Sequence, residues 1–311
     1  MNSRINLIGK IPPPYGGVAV SIKSYYDALL LDSDVDVKLY PISKLLYSFL
    51  DRPDYIHFNF SKAYKRFLGT VIGRLCGAKV IHTIHGNNLN LKNPFNYFSC
   101  LLSHRVLVLN EQLLRSAYLS SISSNTFRLT SPILDSHCDT TSLENKYEIT
   151  KLKDQYYVLV YANDSVYIDG EEVYGVKFIL ELLAFFEANN VTVLILDPSS
   201  AYKKDISQLN SGSHIYINQM VNFKQLLKKV DLYIRPTSTD GQSIAIIEAI
   251  SCGVPVLASD SVPRPSSVVT YKYGSLEDFK IIFTQIKASK DSYMSDYSSF
   301  NAKDYLSLLE D

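Results

Sequence analysis

Short runs rich in β-branched and aromatic residues alternate along this chain with longer stretches at helical spacing, and that alternation constrains the fold most. Strand, helix and strand in succession pack as βαβ units, which hold the strands parallel and cover both faces of the sheet. In the first half the runs predict strands at 4–9, 35–41, 55–60, 79–85, 105–110 and 127–132, with helices in most of the gaps. From 133 to 155 the apolar period lapses into polar, Ser/Thr- and charge-rich sequence, which reads as an interdomain linker. The alternation then restarts, with strands at 156–162, 191–196, 214–217, 231–236 and 255–259 and helices at 176–189, 223–229, 244–251 and 276–288.

At 311 residues the chain exceeds what one hydrophobic core usually serves. The economical architecture is α/β: two Rossmann-like doubly wound domains, 1–150 and 151–311, facing a central cleft, with the last helix packing back on the first domain. Such sheets bind ligands outside the carboxyl ends of their strands. Apolar residues at 46% and charged residues at 20% are enough to fill ordinary cores.

Basic and acidic residues number 31 each, so no molecule-wide field recruits nucleic acid, and any phosphate site must be local. The four cysteines, Cys76, Cys100, Cys138 and Cys252, are scattered, without zinc-site spacing or the density of a disulfide scaffold. A reducing compartment, the cytoplasm, fits best. The first apolar run is too short for a signal-peptide core, and no segment offers the roughly 18 uncharged apolar residues of a membrane span.

The informative stretch runs from Asp231 to Asp260: Asp-Leu-Tyr-Ile-Arg-Pro-Thr-Ser-Thr-Asp-Gly-Gln-Ser-Ile-Ala-Ile-Ile-Glu-Ala-Ile-Ser-Cys-Gly-Val-Pro-Val-Leu-Ala-Ser-Asp. A buried strand ends at Arg235-Pro236, a polar loop follows, and a helix opens at about Gly241 to Ser243. Unpaired amides at a helix start, reinforced by the helix dipole, suit a phosphate, and Gly241 lets the anion approach the backbone. Two turns on, Glu248 interrupts an otherwise apolar helix. Burying that carboxylate is costly unless something binds it, and a ribose diol is one such partner.

Two further places carry chemistry. The first strand leads into Gly9-Lys-Ile-Pro-Pro-Pro-Tyr-Gly-Gly-Val18, so Gly16 and Gly17 fall at a strand-to-helix turn. The spacing Gly-x-Gly-x-x-Gly of a dinucleotide site is absent. The fourth strand ends in His82-Thr-Ile-His85, and strand alternation sets His85 at its carboxyl tip.

From Asp240, seven residues lead to Glu248-Ala-Ile-Ser-Cys-Gly-Val-Pro-Val, and this spacing resembles the donor motif of retaining GT-B glycosyltransferases, in particular glycosyltransferase family four. The resemblance implies that Glu248 binds the donor ribose and that the amides of Gly241, Gln242 and Ser243 hold the pyrophosphate. Asp240 and His85 would then face the transferred sugar as the catalytic pair, with Gly16 and Gly17 bordering the phosphates. Most relatives carry Glu where Asp240 stands. They also supply an Arg and a Lys after the first strand of the second domain; here Asn163 or Asp164 replaces the Arg and Tyr174 the Lys. Lys177, Arg235 and Arg264 are the bases that could substitute.

By the same resemblance, transfer retains anomeric configuration, and neither a metal nor another cofactor is expected. Asp34-Val-Asp36 matches a metal-binding dyad only in its letters, on what reads as a surface turn. The partners implied are a nucleotide-sugar donor and a saccharide or polyprenyl-linked acceptor, as in bacterial surface polysaccharide assembly. A basic amphipathic helix bearing Lys62, Lys65, Arg66 and Arg74 has two readings: peripheral contact with the inner face of the cytoplasmic membrane, or a crossover helix with a solvated basic face. The rival functions are a non-hydrolysing sugar-nucleotide epimerase of the same architecture, a degenerate GT-B binding subunit, and, more distantly, a dinucleotide oxidoreductase.

Overall fold

Parallel strands cannot be joined by tight turns, so each must hand the chain to a crossover before the next strand begins. A computed structural model describes residues 3–12, 17–32, 34–85, 89–120, 122, 126–133, 152, 154–209, 212–241, 243–293 and 300–310. The expected linker at 133–155 lies almost wholly outside the described residues.

The first sheet orders its strands β2-β1-β3-β4-β5-β6, all parallel. They are β1 (Ser3–Gly9), β2 (Val35–Pro41), β3 (Tyr55–Phe58), β4 (Lys79–Ile84), β5 (Arg105–Val108) and β6 (Phe127–Leu129). The second sheet joins β7 (Tyr156–Tyr161), β10 (Val191–Leu196), β11 (His214–Ile217), β12 (Leu232–Arg235), β13 (Val256–Ser259) and β14 (Val269–Tyr271). Its order is β11-β10-β7-β12-β13-β14, again parallel throughout. A short antiparallel hairpin, β8 (Tyr167–Ile168) with β9 (Glu171–Glu172), stands apart from both sheets.

Both faces of the second sheet are covered, as β-branched strands in α/β proteins require. Val158 and Val160 of β7 look into one apolar cluster with Ile179, Phe186 and Phe279, while Tyr157 and Leu159 look into another with Ile246, Ala249 and Ile250. By contact the chain divides into two compact units. One is Met1–Ser136 with Gly241–Ile244 and Ser299–Asp311; the other is His137–Asp240 with Ala245–Ser298. The short helix Ala302–Ser307 therefore belongs to the first unit, where Tyr305 and Leu309 share a core with Ile5, Leu7 and Tyr25.

The strand expectations hold in position: 35–41, 191–196 and 214–217 match to the residue, 4–9 starts one residue late, and the others run long at their ends. Strand 231–236 contracts to Leu232–Arg235 because the Asp231 side chain accepts from the Tyr157 amide at 2.9 Å and Pro236 has no amide to give a ladder. The helix expected at 176–189 breaks at Leu182, whose amide bonds three residues back to Ile179, giving Val176–Glu181 and Leu183–Ala188. Asp36 lies inside β2 rather than in a turn. Arg66, read as part of the solvated basic face, is instead buried, donating to the Phe60 and Ser61 carbonyls at 2.8 and 3.2 Å and to Asn96 Oδ1 at 2.6 Å. Among the described residues no helix is long and apolar enough to cross a membrane.

Tyr305 anchors its helix through a 2.8 Å hydrogen bond to Nδ1 of the buried His57, whose Nε2 meets Thr83 at 2.7 Å. Removing the hydroxyl leaves a buried ring nitrogen unpaired. Tyr305→Phe is expected to cost about 1–3 kcal/mol in denaturant unfolding, with little change in secondary structure by circular dichroism.

Candidate functional site

In the second sheet β7 is the strand from which the chain leaves in both directions, with β10 on one side and β12 on the other. Such a switch point opens a crevice beyond the carboxyl ends of the two diverging strands, here Tyr161 and Arg235. The sequence places charge at that crevice. Asp240 Oδ2 accepts from Arg235 Nε at 2.9 Å and from Arg264 Nη1 at 3.2 Å, and all three side chains are nearly buried.

Each arginine is held on its far side as well. Arg264 donates to Thr237 Oγ1 at 2.8 Å and to the Ser259 carbonyl at 3.1 Å, and Arg235 lies 5.4 Å above the Tyr174 ring with Nη1 directed at the Tyr161 carbonyl. Thr237 and Ser259 were not singled out from the sequence. Their signal was positional, since Ser259 ends β13 and Thr237 follows β12, the neighbouring strand.

The electrostatics follow from that packing. Burial alone would raise the Asp240 pKa, but the charge and hydrogen bond of Arg235, joined by Arg264, bring it below the usual carboxylate value. For Arg235 burial works downward and the Asp240 charge outweighs it, so its pKa is raised. For Arg264 burial prevails over Asp240 and its pKa is lowered. Two guanidiniums around one carboxylate leave a net positive charge at the crevice, the sign a diphosphate requires.

Glu248 lies on the helix Ile244–Ser251, where Ala245, Ile246, Ile247, Ala249 and Ile250 are all buried. Only the stripe Ile244, Glu248 and Ser251 escapes full burial. Among the described residues no hydrogen bond or ion pair engages the Glu248 carboxylate. Burial pushes its pKa up to about 7, against a weaker downward pull from Lys224. Glu248 is thus a half-buried carboxylate without a protein partner among the described residues.

The bases proposed to replace the missing Arg and Lys fare unequally. Arg235 and Arg264 meet at Asp240, whereas Lys177 is exposed, with its ammonium 5.5 Å from the Tyr167 ring centroid in the β8–β9 hairpin. That hairpin turns through Asp169 and Gly170 at φ of 52° and 85°, the paired positive values of a tight two-residue turn. It delivers the Glu172 carboxylate to the Val176 and Lys177 amides at 3.0 and 3.1 Å, so an internal anion caps this helix. Tyr174, at the position where the resemblance implied a Lys, contributes its ring to Arg235 instead.

In the first unit, β1 is the strand from which the order runs in both directions, with β2 on one side and β3 on the other. Asn59, just beyond β3, accepts through Oδ1 from His85 Nε2 at 2.8 Å, so the His85 ring is fixed at the tip of β4. Burial and then the Arg66 charge lower the His85 pKa to about 4, leaving the imidazole neutral at pH 7. Gly241, grouped with this unit, lies against the same place: a Cβ there would stand 2.6 Å from the His85 carbonyl oxygen. Gly17 opens the helix Gly17–Leu30, and Ser243 is buried. Gly16 and Gln242 lie outside the described residues.

Residues 148–299 match the family Glycosyl transferases group 1. The match spans the Arg235–Asp240–Arg264 cluster and Glu248. A search of curated proteins finds no match. Among solved structures, the catalytic domain of starch synthase IV from Arabidopsis thaliana, bound to ADP and acarbose, superposes with a TM-score of 0.72 at 11% identity, covering 99% of this chain and 98% of that one. The lipopolysaccharide outer core galactosyltransferase WaaB gives 0.67 at 13% identity over 98% and 99%. A putative UDP-N-acetylglucosamine 2-epimerase from Listeria monocytogenes gives 0.67 at 13% over 98% and 94%. At such identities the likeness speaks for the fold, which is GT-B, with two Rossmann-like domains.

Two substitutions test the architecture of the crevice. Asp240→Ala strands two buried guanidiniums and is expected to cost about 3–5 kcal/mol in denaturant unfolding, with Asp240→Asn recovering part of the loss. Gly175 sits at φ 66°, and a Cβ there would lie 2.0 Å from the Pro236 carbonyl oxygen. Gly175→Ala combines a left-handed backbone with that clash and is expected to lower stability by about 2 kcal/mol or more, read as a fall in Tm.

Proposed function

We propose that the chain is a cytoplasmic glycosyltransferase that moves a hexose from a nucleoside diphosphate to a saccharide or lipid-linked saccharide acceptor, with retention of anomeric configuration. The observation that carries this reading is Glu248, an unpaired carboxylate on an apolar helix within the segment that matches a glycosyltransferase family. A ribose diol supplies the two donors such a carboxylate lacks. Arg235 and Arg264 supply the net positive charge for the diphosphate, together with the amides of 241–243 at the helix start.

In this scheme the bond from the anomeric carbon to the diphosphate oxygen breaks and the diphosphate leaves with the electron pair. The acceptor hydroxyl oxygen bonds the same face of that carbon, and its proton passes to the departing phosphate. His85 and Asp240 border the sugar. The neutral His85 ring serves as a hydrogen-bonding group rather than a charged acid, and Asp240 acts with its carboxylate tied to two arginines. No metal is required for these roles.

The epimerase reading is kept because a putative epimerase shares the fold over nearly the whole of both chains. The two readings divide on one assay: an epimerase converts its nucleotide sugar without an acceptor, whereas the transferase needs one. A degenerate binding subunit, which the absent Arg and Lys would favour, gives neither turnover.

A thermal-shift panel of nucleoside diphosphates and their sugars tests the donor site, since a ligand at 100 times its Kd adds about 2.7 kcal/mol of stability. Glu248 must be ionised to accept from a diol, so nucleotide affinity is expected to rise between pH 6 and 8. Glu248→Ala should weaken it about 10- to 100-fold and abolish the pH dependence. Without ligand the sign reverses. The folded-state pKa lies above the unfolded value, so stability declines as pH rises through 7, and Glu248→Gln removes the decline. Absence of stabilisation by any nucleotide would dismiss the donor-site assignment.

A further inference from the structure

The chain is neutral overall, but its acids are unevenly placed. Between Asp54 and Glu111 there is no acidic residue at all, while Lys and Arg recur throughout that run. Two helices of the first unit, Ala63–Leu75 and Pro94–Leu102, fall within that run. They are joined through their interior: Arg66 donates to Asn96 Oδ1 at 2.6 Å, and the Phe67 ring lies 5.7 Å from Phe95 and 6.4 Å from Phe98.

Outside this joint the pair shows water what a folded protein normally hides. Tyr64, Leu68, Phe95, Phe98, Leu101 and Leu102 are exposed by 39–56%. On each helix they recur at spacings of three and four, and so share a face. Phe67, half-buried, links the two stripes. A contiguous apolar patch of this kind marks an interaction site. Its fringe is basic, with Lys62, Lys65, Arg74 and Lys92 all exposed and no carboxylate from the same run to neutralise them.

We propose that the face built by helices Ala63–Leu75 and Pro94–Leu102 docks on an anionic phospholipid surface. Aromatic and aliphatic side chains enter the headgroup boundary while the flanking ammonium and guanidinium groups meet lipid phosphates, the combination that holds amphipathic helices at a membrane interface. Charge decides between this occupant and a second copy of the chain. A two-fold dimer through this face would set basic fringe against basic fringe, with no acid in the 55–110 run of either copy to pair them. The proposal is independent of the sugar-transfer reading, since it concerns binding and not turnover.

The test is co-sedimentation of the full chain with vesicles of phosphatidylcholine alone and of phosphatidylcholine mixed with phosphatidylglycerol, at about 0.1 M salt. Binding is expected to the mixed vesicles and to fall away on the neutral ones. Lys62→Ala with Lys65→Ala should weaken binding about 25-fold, or about fivefold (~1 kcal/mol) per base. Phe95→Ser with Phe98→Ser should release the chain from mixed vesicles even at low salt. All four side chains are exposed, so unchanged thermal melts confirm that the variants fold. No sedimentation with mixed vesicles, or equal sedimentation with both vesicle types, overturns the proposal. So does a concentration-dependent dimer in size-exclusion chromatography that Phe95→Ser with Phe98→Ser abolishes, since the face then belongs to a second copy.

Discussion

The crevice of the second unit depends on one buried carboxylate. Asp240 lies between two guanidiniums that, among the described residues, it alone neutralises, and those guanidiniums reach the ends of β7 and β13 and the second residue after β12. Three strand ends and the loop between them are thus tied by bonds that cannot be made one at a time. A lone buried charge is costly, so the cluster forms whole or not at all. That cooperativity holds the loop from Pro236 to Asp240 in one shape, with one positive charge in excess within the cluster. The Tyr174 ring supports Arg235 from the other side.

Much of this was legible in the sequence because it rests on periodicity and punctuation. Parallel strands and the helix carrying Glu248 follow from the alternation of apolar runs, whereas the strand order that makes the switch point does not. What escaped depends on contacts between distant residues. Nothing local shows that Arg66 turns inward to Asn96, or that Asp240 is shared by two arginines 5 and 24 residues away. The β8–β9 hairpin was legible, for Asp169-Gly170 is a strong two-residue turn signal, but two-residue strands fall below any periodicity window. Missing it hid Glu172, and with it the reason Lys177 looks outward. The strand Val269–Tyr271 escaped for the same shortness.

The buried histidines of the first unit and Glu248 of the second respond to pH in opposite senses. In the first, burial lowers the pKa of His57 to about 3 and that of His85 to about 4, so both rings are neutral in the fold while an unfolded chain would charge them. Their contribution is complete above pH 6.5 and is lost as pH falls toward those values. In the second, Glu248 is most comfortable protonated, and its cost appears as pH rises through 7. Both effects fall between about pH 4 and 7, where the imidazoles and the carboxylate shift stability in opposite directions.

The helix Ala302–Ser307 has a consequence for the order in which the protein can be made. Tyr305 and Leu309 complete a core whose other walls include Ile5, Leu7 and Tyr25, from the first strand and the helix Gly17–Leu30, and Ile81 of β4. While residues 137–298 are still being synthesised, that core lacks its final wall, and His57 lacks its phenol partner. The unit that leaves the ribosome first is thus the one that closes last, and until it does its unfinished apolar surface is open to chaperones.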